Sequence, residues 1–349
     1  MNKMSMPIGL NELRIRIDRL PRQRLAVLPT GLQALPRLAA MAGVDRFYVK
    51  RDDLTGVGLG GNKSRGMEFI LGDALEKGCD VLVAGGGTEQ SNHAVQCAAS
   101  GCRVGMDVAV VLQRRAGARA NGNALLRDLF GARTVWVESD PQLRDRTSSG
   151  TTMRAIAAEL QQAGRRPYVL ESSLHPLSVI AYVGALVELQ DQLPTSNPST
   201  RIYVTSEGAA LGGLLLGARL LGLPWEIMGL DWRPEVAGTA ARLHTLIAEA
   251  AGILEVSNPV DEAGIVIHPC GGPDYGVGRP ESWSALVTAA RLEGLILDPV
   301  YTSKGLAGAL EDLHARPFTD GSVVFVHTGG VAALFAYEDE LRSHLVSIG

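Results

Sequence analysis

Beyond residue 79 the chain alternates two hydrophobic patterns. Short runs that are aliphatic at nearly every position fall at 81–84, 107–112, 134–137, 168–170, 202–205, 226–230, 265–268 and 323–326. Between them lie longer segments in which apolar residues return every three to four positions. These cover 91–100, 120–130, 151–163, 177–193, 211–221, 235–251, 281–292 and 303–315, with a last one from Val331. A strand without a polar face is buried on both sides, and intervening amphipathic helices supply the cover, so the pattern predicts an α/β fold with a mostly parallel sheet. An earlier run at 47–50 reads as a further strand. Stretches 148–150 and 194–200 read as exposed loops, and neither is long enough to tether two separate units.

In such folds ligands gather at the carboxyl ends of the strands, where helices begin with unpaired N–H groups. Four strand-to-helix junctions are rich in small and polar residues: 85–92, 207–213, 299–303 and 327–330. A single crevice would account for all four.

Composition narrows the class. Glycine supplies 41 of 349 residues, with no collagen period, so the excess belongs to turns and ligand loops. Lys+Arg at 33 against Asp+Glu at 37 leaves a net charge of −4, which excludes a basic nucleic-acid surface and a disordered acidic tail. The longest apolar stretch, 208–218, stops at Arg219, short of the ~18 residues of a membrane span. The N-terminal segment alternates apolar and charged residues too quickly for a signal peptide. Cys79, Cys97, Cys102 and Cys270 form no C-x-x-C pair and read as structural thiols of a reducing compartment. A soluble, cytoplasmic protein is expected, with no metal site and neither nucleic acid nor membrane as partner.

The segment Gly56-Val57-Gly58-Leu59-Gly60-Gly61-Asn62-Lys63-Ser64 offers two nucleotide-binding patterns and satisfies neither. Its G-x-G-x-x-G does not follow directly on a strand, and Asn62 displaces the lysine of the phosphate loop by one position. What remains is a lysine at a helix start in a glycine-rich, otherwise uncharged setting. Burial and a helix N-terminus both depress a lysine pKa, which suits an amine that forms a Schiff base.

With Lys63 as anchor, further motifs fall into line. Lys50-Arg51-Asp52-Asp53-Leu54, Gly60-Gly61-Asn62-Lys63-Ser64-Arg65 and Gln90-Ser91-Asn92-His93 are followed late in the chain by Asp274-Tyr275-Gly276, Leu297-Asp298-Pro299-Val300-Tyr301-Thr302 and His327-Thr328-Gly329-Gly330. Over nearly its whole length the chain resembles the fold-type-II (tryptophan-synthase-β-like) pyridoxal-phosphate enzymes. Within them it resembles the branch holding 1-aminocyclopropane-1-carboxylate deaminase and D-cysteine desulfhydrase. The resemblance implies two domains built on open, twisted, mostly parallel sheets, and a homodimer. A larger domain (1–65 and 170–349) would bind the cofactor, and a smaller one (66–169) would close over a small amino-acid substrate.

Residue by residue, the resemblance implies that Lys63 carries pyridoxal phosphate and moves the substrate's α-proton, and that Asn92 holds the cofactor's phenolic oxygen. Ser91, with Asn92 and His93, would meet the substrate carboxylate. Helix physics agrees, since free N–H groups at a helix start suit an anion, but Ser91 as an ordinary helix cap remains an alternative. Tyr275 and Tyr301 match two active-site tyrosines that serve as acid/base groups or, in the ring-opening member, attack the substrate. Thr302 would face the pyridine nitrogen, where ring-opening deaminases tend to carry Glu, and Thr328 stands where they tend to carry Leu. Two hydroxyls make a milder electron sink, so elimination of a β-substituent is expected ahead of cyclopropane opening.

Four departures stand out. One extra residue precedes Gln90-Ser91. The phosphate loop, Gly/Ser-rich with a Thr in the family, is Ser206-Glu207-Gly208-Ala209-Ala210-Leu211 here and one residue shorter; backbone N–H groups of Gly208, Ala209, Ala210 and Leu211 could still hold a phosphate, although Glu207 is electrostatically awkward there. Gly66 replaces a second basic residue. Glu171-Ser172-Ser173-Leu174-His175-Pro176 replaces a turn expected to contact substrate, and His175 reads either as a substrate contact or as a turn histidine before proline. The expected reaction is D-cysteine desulfhydrase-like elimination to pyruvate and ammonia. Cyclopropane deamination and a non-catalytic metabolite binder are the alternatives.

Overall fold

The computed structural model describes residues 7–114, 119–138, 147–194, 199–233, 236–272 and 275–348. In chain order the elements begin with α1 (Leu10–Asp18), β1 (Leu32–Ala34), α2 (Pro36–Ala42), β2 (Arg46–Lys50), α3 (Lys63–Glu76), β3 (Val81–Gly85) and α4 (Asn92–Val104). Next come β4 (Asp107–Arg114), α5 (Asn123–Leu129), β5 (Arg133–Glu138), α6 (Thr147–Gln162), β6 (Pro167–Leu170) and α7 (Pro176–Gln192). The rest is β7 (Thr200–Val204), α8 (Ala209–Leu220), β8 (Glu226–Asp231), α9 (Thr239–Ile253), β9 (Val266–Pro269), α10 (Pro280–Glu293), α11 (Thr302–Ala315), β10 (Ser322–Val326) and α12 (Glu338–Ser347).

Two sheets result. The six-stranded one has the order β1-β2-β10-β7-β8-β9, parallel except for the antiparallel edge strand β1. The four-stranded one, β5-β4-β3-β6, is wholly parallel. Strands β3, β7 and β10 are buried at every position, in keeping with the aliphatic runs at 81–84, 202–204 and 323–326. Helix ends follow local chemistry. Pro36 and Pro280 stand in the first turns of α2 and α10, and Gly43, Gly105 and Gly294 end helices in the left-handed region at φ 66°, 72° and 62°. A single apolar cluster runs from Leu82, Val108 and Val110 through α3, α4, α7 and α8 to Ile202 and Val204, so α3, α4 and α7 share one core with strands of both sheets.

Helices α7 and α8 approach closely because α8 offers glycines to α7. A Cβ on Gly213 would lie 2.2 Å from the Val179 carbonyl oxygen.

Some expectations change. The segment from Val331 is a 3₁₀ helix through Tyr337 and becomes α-helical only at Glu338. Its run of small and apolar residues marks a helix without distinguishing the tighter turn. Residues 148–150 belong to α6 instead of an exposed loop, and Ser149 is buried because its small side chain faces a cavity. The helix expected at 235–251 begins at Thr239, with Glu235 outside the described residues. Of the loop expected at 194–200, residues 195–198 lie outside the described residues, while Thr200 is buried and opens β7.

Candidate active site

The four small-residue junctions converge. A cavity of about 270 Å³ is lined by residues from all of them, among them Lys63, Gly85–Thr88, Ser91, Asn92, Glu207, Tyr301 and Thr328.

Its floor is the glycine-rich segment. The buried hydroxyl of Thr55 donates to the Gly61 carbonyl at 2.9 Å and accepts from the Gly61 N–H at 2.8 Å. The Gln96 amide, inside α4, donates to the carbonyls of Val57 at 2.7 Å and Gly60 at 2.9 Å, while the Ser64 hydroxyl donates back to Gln96. Gly61 bridges Gly329, and the Asn62 N–H donates to the Thr328 carbonyl at 2.9 Å. Glycine is required at 61: its φ is +134° and a Cβ would lie 2.6 Å from the Asn92 amide nitrogen. Lys63 therefore opens α3 at a point tied to β10 on one side and α4 on the other.

Opposite lies the start of α4. The Ser91 hydroxyl caps this helix by accepting from the Ala94 N–H at 3.3 Å and also lines the cavity, so its two readings are compatible. His93 lines the cavity too, and its ring nitrogens lie 3.7 and 3.8 Å from the Cys97 sulfur. Burial pushes that thiol up to about 12, so it stays protonated.

The third wall is aromatic. The hydroxyls of Tyr275 and Tyr301 are 2.8 Å apart, and Trp232 meets Tyr275 edge-on with ring centroids 5.1 Å apart. Thr88, in the loop after β3, acts on Tyr275 and partly offsets the rise in its pKa. Burial raises the pKa of both phenols well above the ordinary tyrosine value, so both are neutral and able to donate.

The remaining expected residues stand elsewhere. Thr302 does not line the cavity; its hydroxyl donates to Asp298 Oδ1 at 2.6 Å and accepts from the Asp298 N–H at 2.8 Å. His175 caps α7, its Nδ1 accepting from the Leu177 N–H at 3.2 Å, and lies outside the lining along with Leu174 and Pro176, whereas Glu171, Ser172 and Ser173 line it. Gly208, Ala209, Ala210 and Leu211 form the first turn of α8 just behind Ser206 and Glu207, which do line it. Asp274 lies outside the described residues. Sequence reasoning missed Thr205, Trp232, Gln113 and Ser149, all cavity residues, and Gln96 and Thr55, which shape the floor. A polar Gln96 within an otherwise apolar helix face was the one available signal.

The sequence profile described as "Pyridoxal-phosphate dependent enzyme" matches residues 23–329. The chain belongs to this family. A relative in Pyrococcus abyssi, provisionally named a 1-aminocyclopropane-1-carboxylate deaminase, is 34% identical over 95% of this chain and 98% of its own length. A D-cysteine desulfhydrase of Klebsiella pneumoniae is 34% identical over 93% of this chain and 98% of its own. Among solved structures, an ACC deaminase homologue superposes with a TM-score of 0.86 at 31% identity, covering 95% of this chain and 99% of that one. Maize serine racemase, at 18% identity and a TM-score of 0.65, shares the fold. The protein is thus a fold-type-II enzyme that depends on pyridoxal phosphate.

The cavity's residues fit that cofactor. Lys63 reaches it from a helix start. Thr205, 6% exposed, borders it with a buried hydroxyl that has no hydrogen-bond partner among the described residues. Gly86, Gly87 and Gly329, at φ +100°, +88° and +91°, bring bare backbone to the walls. Ser206 Oγ accepts from the Gly208 N–H at 3.1 Å, and among the described residues no side chain caps α8, which leaves the Ala209–Leu211 amides for a phosphate.

Proposed function

We propose that this enzyme catalyses α,β-elimination from a small β-substituted amino acid, with a cysteine-like substrate yielding pyruvate, ammonia and sulfide. The observation that carries this reading is the position after Tyr301. It holds Thr302, a hydroxyl committed to Asp298, in place of the Glu that the resemblance associates with ring opening. Bound pyridoxal phosphate supplies the electron sink that lets the α-carbon give up a proton. The Lys63 amine takes that proton. Ser91 and the first amides of α4 orient the substrate carboxylate. The neutral Tyr275–Tyr301 pair holds a proton at the phenol oxygens and delivers it to the departing β-group as the Cβ–S bond breaks. No arginine lines the cavity among the described residues, while Glu171 and Glu207 do, so a neutral leaving group suits it better than a sulfonate.

Opening of a cyclopropane ring is the second reading, supported by the similarity to the ACC deaminase homologue and by a tyrosine pair at the site. The β3–β6 sheet with its helices would be the smaller domain closing over substrate. Four free thiols suit a cytoplasmic location. Exposed Val27, Leu54 and Leu59, gathered beside the glycine-rich segment, suit a homodimer contact, which sedimentation would reveal.

The test is the visible spectrum after loading with pyridoxal phosphate and desalting, followed by a keto-acid assay. A band in the wild type that Lys63→Ala abolishes, with pyruvate from D-cysteine, is the expected result. Keto acid from 1-aminocyclopropane-1-carboxylate alone would favour ring opening, and ligand binding indifferent to Lys63→Ala would leave a non-catalytic binder.

A further inference from the structure

Behind the cavity floor lies a set of charges that the reaction does not use. Arg65, 2% exposed, donates from Nε and Nη2 to Asp52 at 2.8 Å each, and from Nη1 and Nη2 to Glu188 at 2.8 Å each. Lys50 Nζ donates to Glu188 at 2.7 Å, and Thr30 Oγ1 donates to Asp52 at 2.8 Å. Two cations and two anions thus balance in the interior and join β2, α3, α7 and the segment before β1. Buried ion pairs of this kind add little stability over apolar packing, because desolvation offsets the attraction; their best-supported use is to fix one arrangement.

What they fix is the first turn of α3. Asn62 is the residue before that helix, a position where Asn commonly caps, yet its side chain makes no cap. The Asn62 side chain instead acts on the Tyr182 hydroxyl of α7, partly offsetting the rise in that phenol's pKa that burial causes. The Tyr182 hydroxyl in turn donates to Asp52 Oδ2 at 2.6 Å, on the carboxylate that Arg65 clamps. The neighbours of Lys63 are therefore all committed: the Asn62 N–H to Thr328, Ser64 to Thr55 and Gln96, Arg65 to Asp52 and Glu188.

We infer that Tyr182 is a positioning residue for Lys63, acting through Asn62 and the Asp52–Arg65–Glu188–Lys50 cluster to hold the amine at its working place in the cavity. The inference rests on the assignment of Lys63 as the cofactor lysine. Tyr203 provides a matched control. It is buried like Tyr182, its hydroxyl donates to Asp312 at the same 2.6 Å and neither tyrosine lines the cavity, but Asp312 pairs with Arg201 and Arg316 and not with α3. A purely structural tyrosine would behave alike at both positions.

The experiment compares Tyr182→Phe and Tyr203→Phe as cofactor-loaded enzymes, reading melting temperature, the pH titration of the visible band, and kcat and KM separately. Comparable losses of melting temperature are expected. Only Tyr182→Phe should move the midpoint of the band's titration, by about half a pH unit or more, and lower kcat about tenfold with KM within about twofold. Equal titration midpoints and equal kcat in the two variants would overturn the inference. Should Tyr182→Phe not fold, Thr30→Val loosens the same cluster from its far side, and an unmoved midpoint there counts equally against it. Absence of the band in the wild type would instead strike at the lysine assignment itself.

Discussion

The Tyr275 and Tyr301 hydroxyls, 2.8 Å apart, share one hydrogen bond between residues from two segments that flank α10. One phenol donates to the other, so only one proton is free to point at a substrate. Removing either hydroxyl breaks the pair. Tyr301→Phe should lower kcat by about 10²–10⁴-fold with the cofactor band intact. Tyr275→Phe should cost nearly as much, and the double variant little more than either single one, because the two act as a unit. Steady-state kinetics on the three variants check this.

Gly61→Ala tests the floor. The new Cβ would meet the Asn92 amide nitrogen at 2.6 Å in a backbone conformation with φ +134° that L-residues rarely adopt. Loss of the visible band is the expected outcome. A melting-temperature drop corresponding to about 1–3 kcal/mol should accompany it.

Glu207 gives a charge test of the substrate. Its carboxylate acts through space on Arg233 and Tyr301, and Arg233 is already clamped to Asp231 at 2.6 Å. Glu207→Gln should raise kcat/KM for a sulfonated alanine about tenfold and leave chloroalanine within about twofold, since only the former carries a negative charge on its β-substituent for the carboxylate to repel. Parallel progress curves of pyruvate release on the two substrates read the ratio.

The thiols predict an alkaline limit. Burial pushes the Cys97 and Cys270 thiols from the ordinary value near 9 up to about 12. A pKa raised on folding favours the folded state fully below the unfolded value, and the benefit disappears as pH climbs through the folded one. Stability should therefore fall between about pH 9 and pH 12, and Cys97→Ala should flatten part of that fall. At neutral pH a maleimide should label exposed Cys102 rapidly while Cys97 and Cys270 resist.

Most of the architecture was legible because strands such as Val81–Gly85 and Ser322–Val326 have no polar face and helices such as Pro280–Glu293 carry their own stop signals. The convergence of Ser91, Asn92, Tyr301 and Thr328 followed from their places at strand-to-helix junctions, whereas Lys63 was legible from the glycine-rich helix start. The contributions of Thr205 and Trp232 were hidden, since a threonine ending a strand and a tryptophan after one look ordinary until the neighbouring chain is in place. Thr302 shows the reverse: its position beside Tyr301 is evident, but that its hydroxyl would be absorbed by Asp298 depends on a local turn that spacing does not reveal. The edge strand Leu32–Ala34 went unnoticed because three residues, largely exposed, carry no period.

Strand β10 lies between β2 and β7 and pairs with both, so the middle of the larger sheet is supplied by nearly the last segment of the chain. During synthesis the lysine loop, the capped start of α4 and the strand before α8 all emerge long before the strand that joins them. Until Ser322–Val326 arrives, β2 has only the short β1 to pair with, and Gly61 lacks its bridge to Gly329. The candidate pocket is therefore completed only once Ser322–Val326 is in place, and a chain cut short before residue 322 retains the cavity residues of β3, α4 and the segment before α8 but not the strand that brings them to one place.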